Sequence, residues 1–393
     1  MAAQLQALEG INQLCWSLGL YLGLVSGMKQ ATIALDLRVL DDHFPGIGRF
    51  CYELSLALLQ TPIAEQLHLI LPQQPRTQFD LRPLLQHPKV SRVSHSLFSV
   101  GQHREWRSLL SEIQADLAIF PYYIRPLFQP CPSLTLIYDT ISWRVPATFS
   151  RRKRWQIAAL HHVAIQQSAA IGTISHSAAS DIAQFYGVNP QRLAYLGVGI
   201  SAQFQPQPAT TIAALRAKYG LPERYIVYVA SDKPHKQIDF LLDAWQAAQT
   251  AEVGLVLGGR WRNPTSEQLL EHPKLHGRVW RIADVPEDEL AALYSGALAL
   301  AFPSLYEGFG LPALEAIACG TPVLAQNSSS LPEAVGAAGC LLPNEQATWI
   351  KALERMCHDS TWRESLAAQT SAQAAKFSWQ QVAERLEQQL NTL

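Results

Sequence analysis

Short apolar runs, about four to eight residues long, recur from residue 31 onward and alternate with longer stretches of helical periodicity. Because parallel strands need a crossover connection, this alternation is typical of a parallel sheet covered by helices. We predict an α/β fold with strands at residues 33–37, 68–71, 90–93, 117–120, 134–141, 171–175, 193–199, 225–230, 253–259, 277–282, 297–302 and 322–325. We predict helices at residues 50–59, 151–170, 177–186, 211–219 and 379–390, and further helices that begin at Pro286 and Pro312.

The alternating pattern is interrupted near residue 205. Residues 203–208, Gln-Phe-Gln-Pro-Gln-Pro, have the composition of a linker, and a second strand-helix series follows them. At 393 residues the chain also exceeds the size at which single hydrophobic cores stop growing. We therefore predict an α/β domain at residues 31–205, a second at residues 206–375, and a C-terminal helical segment at residues 376–393.

Residues 1–30 precede the first predicted strand. Their apolar run at residues 14–25 is short for a membrane span and lacks the basic flank and cleavage site of a secretory signal. We treat this stretch as an N-terminal extension. We expect either that Met28 is the true start or that the first 27 residues form an appended helix.

Composition and charge exclude some partners and compartments. Hydrophobic residues make up 48% and charged residues 16%, which is enough to fill two cores. A formal net charge of -1 gives no electrostatic basis for nucleic-acid binding. The six cysteines form no C-x-x-C pair and no zinc-ligand spacing, so we expect reduced thiols in a cytoplasmic protein.

Residues 303–343 hold the strongest candidate chemistry. Glu307 and Glu315 flank a glycine-bearing turn between two predicted strands, and Pro312 suits the first position of a helix. A helix N-terminus attracts anions through its partial positive charge and its unpaired N–H groups. With Glu307 in the loop and Glu315 in the first helical turn, both can reach one ligand. An ordinary crossover with two solvated glutamates is the alternative interpretation.

A family resemblance favours the ligand-binding interpretation. The runs Phe302 to Ser304, Tyr306 to Pro312, Glu315-Ala316 and Gly320 to Val323 resemble the donor-sugar signature of glycosyltransferase family 4. The resemblance covers roughly residues 31 to 390. It implies the GT-B fold, in which two Rossmann-like domains face each other across a cleft and the C-terminal helix packs back on the first domain. It also implies a retaining enzyme that transfers a hexose from a nucleotide diphosphate sugar to a hydroxyl group, without a cofactor or a metal ion.

The resemblance assigns roles to residues of the second domain. Glu307 would act at the reaction centre, Glu315 would bind the ribose hydroxyls, and Lys236 would bind the donor diphosphate. The family commonly has arginine where this chain has Ser231, and we expect Arg260 to supply the missing cation. Without the resemblance, Lys236 and Arg260 would be interpreted as solvated surface residues. The remaining donor-binding positions are the backbone of Gly308, Phe309, Gly310 and Leu311 and the loop near Ile282, which borders the nucleotide base in the family.

Two segments of the first domain match the family's cleft. Residues 45–49 are predicted to form a glycine loop, in which Gly46, Gly48 and Arg49 would face the acceptor and the donor phosphates. Tyr138-Asp139 stands where many members have His-Asp. A tyrosine hydroxyl donates a hydrogen bond as well, but it does not replace a role that needs imidazole.

Four consecutive basic residues, Arg151, Arg152, Lys153 and Arg154, open the helix predicted at residues 151–170. Such a run is usually a solvated face. The alternative is peripheral contact with the inner, anionic face of a membrane that carries a lipid-linked acceptor.

The donor and the reaction class follow from the same resemblance. Residues 233–236 and 328–333 resemble family members that use GDP-mannose, so we expect a mannosyltransferase with a glycan or lipid-linked glycan acceptor in surface polysaccharide biosynthesis. The alternatives are a glycoside hydrolase, which also uses two carboxylates, a nucleotide-sugar epimerase of the same architecture, and a catalytically silent partner subunit.

Overall fold

The computed structural model describes residues 31–393, apart from residues 42, 44, 251 and 262–269. The two hypotheses about the N-terminal extension, including the start at Met28, concern residues that lie outside the described part of the chain. No helix in the described part is long and apolar enough to cross a membrane.

The first domain contains a seven-stranded, all-parallel sheet in the order β3-β2-β1-β4-β5-β6-β7. Its strands are β1 (Ile33–Asp36), β2 (Leu67–Pro72), β3 (Val90–Val93), β4 (Leu117–Phe120), β5 (Ser133–Leu136), β6 (Ala170–Thr173) and β7 (Leu193–Tyr195). Leu35 of β1 pairs with Leu69 of β2 and with Ile119 of β4, and all three side chains are buried. Strands this apolar fit a sheet that is covered on both faces.

Helices cover both faces of this sheet. They are α1 (Pro45–Leu58), α2 (Arg82–Leu85), α3 (Gln102–Glu112), α4 (Ile141–Arg144), α5 (Arg151–Gln166) and α6 (His176–Tyr186). The glycine loop predicted at residues 45–49 is wrong, because α1 already begins at Pro45. Proline fits the first position of a helix, where its missing N–H has no helical partner to lose. Gly46 and Gly48 therefore lie in the first turns of α1.

The second domain repeats the design with a six-stranded, all-parallel sheet in the order β10-β9-β8-β11-β12-β13. Its strands are β8 (Tyr225–Val229), β9 (Gly254–Gly258), β10 (Val279–Ile282), β11 (Ala299–Phe302), β12 (Val323–Gln326) and β13 (Gly339–Leu342). Its helices are α7 (Ala209–Tyr219), α8 (Ile238–Ala247), α9 (Glu287–Ser295), α10 (Leu311–Ala318), α11 (Leu331–Val335), α12 (Gln346–His358), α13 (Ser360–Ala367) and α14 (Thr370–Ala374). Two parallel sheets confirm the predicted α/β class.

The last helix, α15 (Trp379–Leu390), returns to the first domain and packs against α1. Val382, Leu386 and Leu390 are buried in the same apolar cluster as the first-domain strands. Trp379 packs edge-on against Phe50 of α1, with ring centroids 5.2 Å apart. The two domains are thereby joined at a second place besides the linker.

Candidate active site

The carboxyl ends of the two sheets face each other across a cleft of about 690 Å³. In both sheets the strand order reverses next to the first strand of the domain, between β1 and β4 and between β8 and β11. Open α/β sheets bind ligands at such switch points. The cleft is lined by Gly46, Arg49, Asp139, Ile141, Phe149, Val229, Ala230, Ser231, Lys233, His235, Lys236, Gly259, Leu290, Tyr294, Tyr306, Glu307, Gly308, Leu311, Pro312 and Glu315.

The loop between β11 and α10 has a backbone that requires glycine. Gly310, the N-cap of α10, has a φ of 96°, a left-handed value that side chains disfavour. A Cβ atom on Gly308 would lie 2.9 Å from the carbonyl oxygen of Tyr138 in the opposite domain. Gly310 has no side chain that could bond to the first N–H groups of α10, so this helix end presents donors and partial positive charge to the cleft.

Lys236 and Glu307 form an ion pair in the cleft. The 3-10 helix Pro234–Lys236 follows β8, the strand beside β11, and brings the Lys236 ammonium 2.5 Å from Oε1 of Glu307. Their side chains are only 16% and 11% exposed, so water screens their charges less than at an open surface. The backbone N–H of Glu307 donates to Oγ of Ser329 at 2.9 Å, which fixes the loop beneath the carboxylate.

Glu315 belongs to a second charged group that spans the two domains. Arg49 of α1 contacts Oε1 of Glu315 at 3.1 Å and Oε2 of Glu287 at 2.6 Å. Tyr294 donates to the other oxygen of Glu315 at 3.2 Å. Burial raises the pKa of Glu315, and the nearby guanidinium and phenol oppose this shift. Glu315 is the fifth residue of α10, so it lies in the second turn of the helix and not in the first turn as predicted, and its carboxyl oxygens are fixed there as hydrogen-bond acceptors.

Asp139 faces these groups from the first domain. Its carboxylate accepts a hydrogen bond from the N–H of Ile141 at 3.0 Å. Burial raises its pKa, the charge of Glu307 raises it further, and Lys233 and Lys236 act in the opposite direction. Asp139, which was predicted to lie in the cleft, therefore lines the same cleft as Lys236, Glu307 and Glu315.

Three predicted apolar or aromatic side chains pack in the core and do not line the cleft. Tyr138 packs edge-on against Phe50 at 5.3 Å, and its buried hydroxyl has no hydrogen-bond partner, so the expected hydrogen bond toward a ligand is wrong for this geometry. Phe309 is 2% exposed and packs against Phe377. Ile282 is 5% exposed and lies in an apolar core of the second domain. Phe309 and Ile282 contribute packing, and only their backbone remains for the predicted roles.

Gly48 is likewise buried, and a Cβ there would lie 3.0 Å from the carbonyl oxygen of Val39. The absence of a side chain at Gly48 therefore allows α1 to pack closely against the preceding loop. Of the three residues predicted at this segment, Gly46 and Arg49 line the cleft.

The expected cation at Arg260 does not reach the cleft, whereas Ser231 does. Arg260 is 75% exposed and pairs with Asp284 at 2.8 Å. The second ammonium in the lining belongs to Lys233, which sequence analysis did not assign to the site. The sequence could have indicated this role, because Lys233, like Lys236, follows the carboxyl end of β8. His235, between them, is a neutral neighbour, because burial and the two lysines lower its pKa to about 3.

The arrangement suits an anionic ligand that also carries hydroxyl groups. Two ammonium groups and the N-terminus of α10 can bind phosphate oxygens, and three carboxylates can accept hydrogen bonds from hydroxyls. In the described part of the chain no cluster of three or more His, Cys, Asp or Glu could hold a metal ion.

Comparison with known proteins agrees with this geometry. The family described as Glycosyl transferases group 1 matches residues 212–377. O-antigen chain mannosyltransferase B of Escherichia coli is 32% identical over 256 residues, which cover 63% of this chain and 67% of that protein. Serotype-specific mannosyltransferase WbdA of Escherichia coli is 30% identical over 224 residues, 54% of this chain but only 28% of that protein. The crystal structure of Anabaena HepE in complex with UDP and glucose has a TM-score of 0.71 at 19% identity, and covers 92% of this chain and 100% of that one.

Proposed function

Because this chain belongs to the group 1 glycosyl transferases, enzymes of the GT-B fold, we propose that it transfers mannose from GDP-mannose to a hydroxyl group. The acceptor is a glycan or a lipid-linked glycan in surface polysaccharide biosynthesis, and the anomeric configuration is retained. The observation that supports this most is the contact between Lys236 and Glu307 at the N-terminus of α10, inside the cleft between the two domains.

The donor diphosphate binds to the cationic side of the cleft. Lys236 and Lys233 direct their ammonium groups at the phosphate oxygens, and the N–H groups at the start of α10 add hydrogen bonds. Negative charge develops on the diphosphate as the bond to the sugar breaks. A fixed ammonium in a site with little water stabilises this charge in the transition state.

The carboxylates orient the sugar and the ribose. As the phosphate takes over contact with Lys236, Glu307 accepts hydrogen bonds from the sugar hydroxyls next to the reacting carbon. Glu315, fixed by Arg49 and Tyr294, accepts hydrogen bonds from the ribose hydroxyls. Asp139 closes the site from the first domain and faces the acceptor side.

Mannose is supported by the relatives. Two of the most similar curated relatives are mannosyltransferases by name, and residues 233–236 and 328–333 have the pattern expected of GDP-mannose users. A GDP preference follows from this assignment, although HepE was crystallised with UDP.

Calorimetry tests the donor and the phosphate contact together. We expect GDP to bind more tightly than UDP or dTDP, and Lys236→Ala to weaken the binding of all three by about 1.5–3 kcal/mol, the net value of a hydrogen bond to a charged group. Lys351→Ala, an exposed lysine of α12, is the matched control. Equal affinity for the three nucleotides would exclude the GDP assignment, and unchanged affinity of Lys236→Ala would place the phosphate elsewhere.

The exposed residues at the start of α5 support contact between the first domain and a membrane that carries the acceptor. Arg151, Arg152 and Lys153 are exposed, and the neighbouring Trp155 is 65% exposed. Basic residues attract anionic lipid, and tryptophan favours the interface between lipid and water. We therefore assign peripheral membrane binding to this end of the helix.

Vesicle co-sedimentation measures this contact. Replacing the three basic residues by serine should cost about 1 kcal/mol per residue on phosphatidylglycerol vesicles at low salt. Binding to phosphatidylcholine vesicles should be weak for every variant. The control replaces the exposed Arg104 and Arg107 of α3 by serine. If both variants bind phosphatidylglycerol as the wild type does, α5 is an ordinary solvated helix.

A further inference from the structure

Tyr306 connects the loop between β11 and α10, which carries Glu307, to the first domain. This residue immediately precedes Glu307 and is 4% exposed. Its hydroxyl donates a hydrogen bond to Oδ2 of Asp181 at 2.9 Å and accepts one from the backbone N–H of Thr140 at 3.1 Å. Both partners belong to the first domain, on α6 and after β5.

The carboxylate of Asp181, which accepts this hydrogen bond, is buried and held in place. Its side chain is 4% exposed, its other oxygen accepts from Nε of Arg144 at 2.8 Å, and Thr140 Oγ1 donates to the same oxygen as Tyr306 at 3.2 Å. A hydrogen bond to an ionised carboxylate is stronger than one between neutral groups. The tyrosine hydroxyl therefore donates to a carboxylate of the first domain whose position is fixed by other hydrogen bonds.

The same loop is also fixed to its own domain. The N–H of Leu305 donates to the carbonyl oxygen of His235 at 2.8 Å, on the segment that carries Lys236. Ser330 Oγ donates to the carbonyl oxygen of Glu307 at 3.0 Å. The position of Glu307 thus depends on contacts with both domains, and the contact through Tyr306 exists only while the domains are together.

Tyr306 also lies between two cavities. It lines the main cleft and a second cavity of about 440 Å³, which Arg144, Ser177, Asp181 and Ser329 line as well. The side chain therefore separates the main cleft from this neighbouring cavity, in addition to joining the domains.

We propose that Tyr306 is a positioning residue that couples closure of the two domains to the placement of Glu307. This inference rests on the proposed transferase function. In the closed arrangement the hydroxyl, held by Asp181 and Thr140, fixes the loop so that the Glu307 carboxylate meets the sugar. When the domains separate, the loop loses this contact, and Glu307 keeps only the contacts of its own domain.

The test removes the hydroxyl with Tyr306→Phe. Tyr225→Phe is the matched control, because the Tyr225 hydroxyl is also buried but donates to the carbonyl oxygen of Leu293 within the second domain. Three quantities are measured: the radius of gyration in solution, the affinity for GDP, and kcat for transfer from GDP-mannose to octyl α-mannoside. Tyr306→Phe should have the larger radius of gyration, a kcat lowered about 10- to 100-fold, the scale of losing a hydrogen bond to a charged group, and a GDP affinity within twofold of wild type.

A double-variant cycle with Asp181→Asn identifies the partner. If the hydroxyl acts through Asp181, the double variant should be little worse than the more impaired single variant. A radius of gyration equal to that of the wild type, a kcat within twofold of it, or a GDP affinity that falls as much as kcat would each overturn the proposal. If the wild type transfers nothing, the proposed function fails and the radius of gyration alone decides the role of Tyr306.

Discussion

At the scale of single residues, the site is built from paired charges. Glu307 contacts Lys236 and Glu315 contacts Arg49, so each carboxylate of the signature has a cation beside it. In the proposed complex the donor diphosphate competes with Glu307 for Lys236, Arg49 stays with Glu315, and the sugar and ribose of the donor bring hydroxyl groups to the two carboxylates. The first domain contributes Arg49 and Asp139, which explains why neither domain contains the whole site.

Replacing Glu307 tests its place at the reaction centre. Glu307→Gln keeps the size of the side chain but removes its charge, and kcat should fall at least about 10²-fold, as on losing one electrostatic stabiliser. The exposed Glu223 provides the control Glu223→Gln. Thermal unfolding checks that both variants are folded, and near wild-type turnover of Glu307→Gln would remove the residue from the mechanism.

A methyl group at Gly308 should keep the domains apart. Its Cβ would lie 2.9 Å from the backbone of Tyr138, so either the loop or the first domain must shift. Since misplacing a catalytic group by 1 Å costs up to about 10²-fold, we expect Gly308→Ala to lower kcat at least about tenfold. GDP affinity, measured by calorimetry, should stay within threefold. An unchanged kcat would show that this close approach has no part in catalysis.

Residue identity predicted the site better than it predicted side-chain direction. Glycine, proline and strand ends indicated the loop that carries Glu307 and the helix that carries Glu315, whereas Lys236 was assigned to the site only through the family resemblance. Tyr138 and Phe309 could not be placed, since each alternates with a neighbour that faces the cleft, and the packing of Phe50 and Phe377 decides which way each ring turns. Such contacts are not local in sequence.

At the scale of elements, α5 is held to its neighbours by a buried polar chain. The indole N–H of Trp143 donates to the hydroxyl of Tyr186 at 3.0 Å, and this hydroxyl lies 2.9 Å from Nδ1 of His161. Burial lowers the pKa of His161 to about 3 from an ordinary value of 6.5. The imidazole is therefore neutral in the folded protein, and Nδ1 shares a hydrogen bond with the hydroxyl of Tyr186.

This histidine should make stability depend on pH. Below its unfolded pKa the unfolded chain binds a proton that the folded protein does not, so stability is fully present above pH 6.5 and is lost as pH falls toward 3. Between pH 7 and 5 the wild type should lose about 2 kcal/mol more free energy of unfolding than His161→Gln. Urea unfolding at both pH values measures this. The exposed neighbour gives the control His162→Gln, which should behave as the wild type. Equal losses for all three proteins would contradict the buried neutral histidine.

Most strands were predicted, but β13 was missed, and the strands predicted at residues 134–141 and 193–199 end at Leu136 and Tyr195. The helix starts were predicted less well. Short apolar runs such as residues 117–120 and 225–229 favour strands of a sheet that is covered on both faces. The start of α1 was missed because two glycines within five residues favour a loop, whereas Pro45 and packing against the preceding loop favour the helix. Tertiary contacts override weak local preferences at such positions.

At the scale of the whole molecule, α15 makes the two domains one unit. Removing residues 376–393 exposes the apolar surface of α1 that Val382, Leu386 and Leu390 cover. At about 1.5–3 kcal/mol per buried side chain, the loss of stability should be at least about 5 kcal/mol. Denaturant unfolding compares this truncation with one that removes only residues 391–393. A truncated protein as stable as the full chain would mean that α15 only rests on the first domain.

The most direct test of the transferase assignment is the fate of the donor. Wild type and Glu307→Gln are incubated with GDP-mannose, UDP-glucose and dTDP-glucose, with and without mannose-terminated glycans, and NMR follows donor loss and the anomer formed. We predict that GDP-mannose is consumed only when acceptor is present, that the new linkage keeps the α configuration of the donor, and that Glu307→Gln is at least about 10²-fold slower. Donor loss that is independent of acceptor, an inverted product, or a preference for another donor would contradict the account.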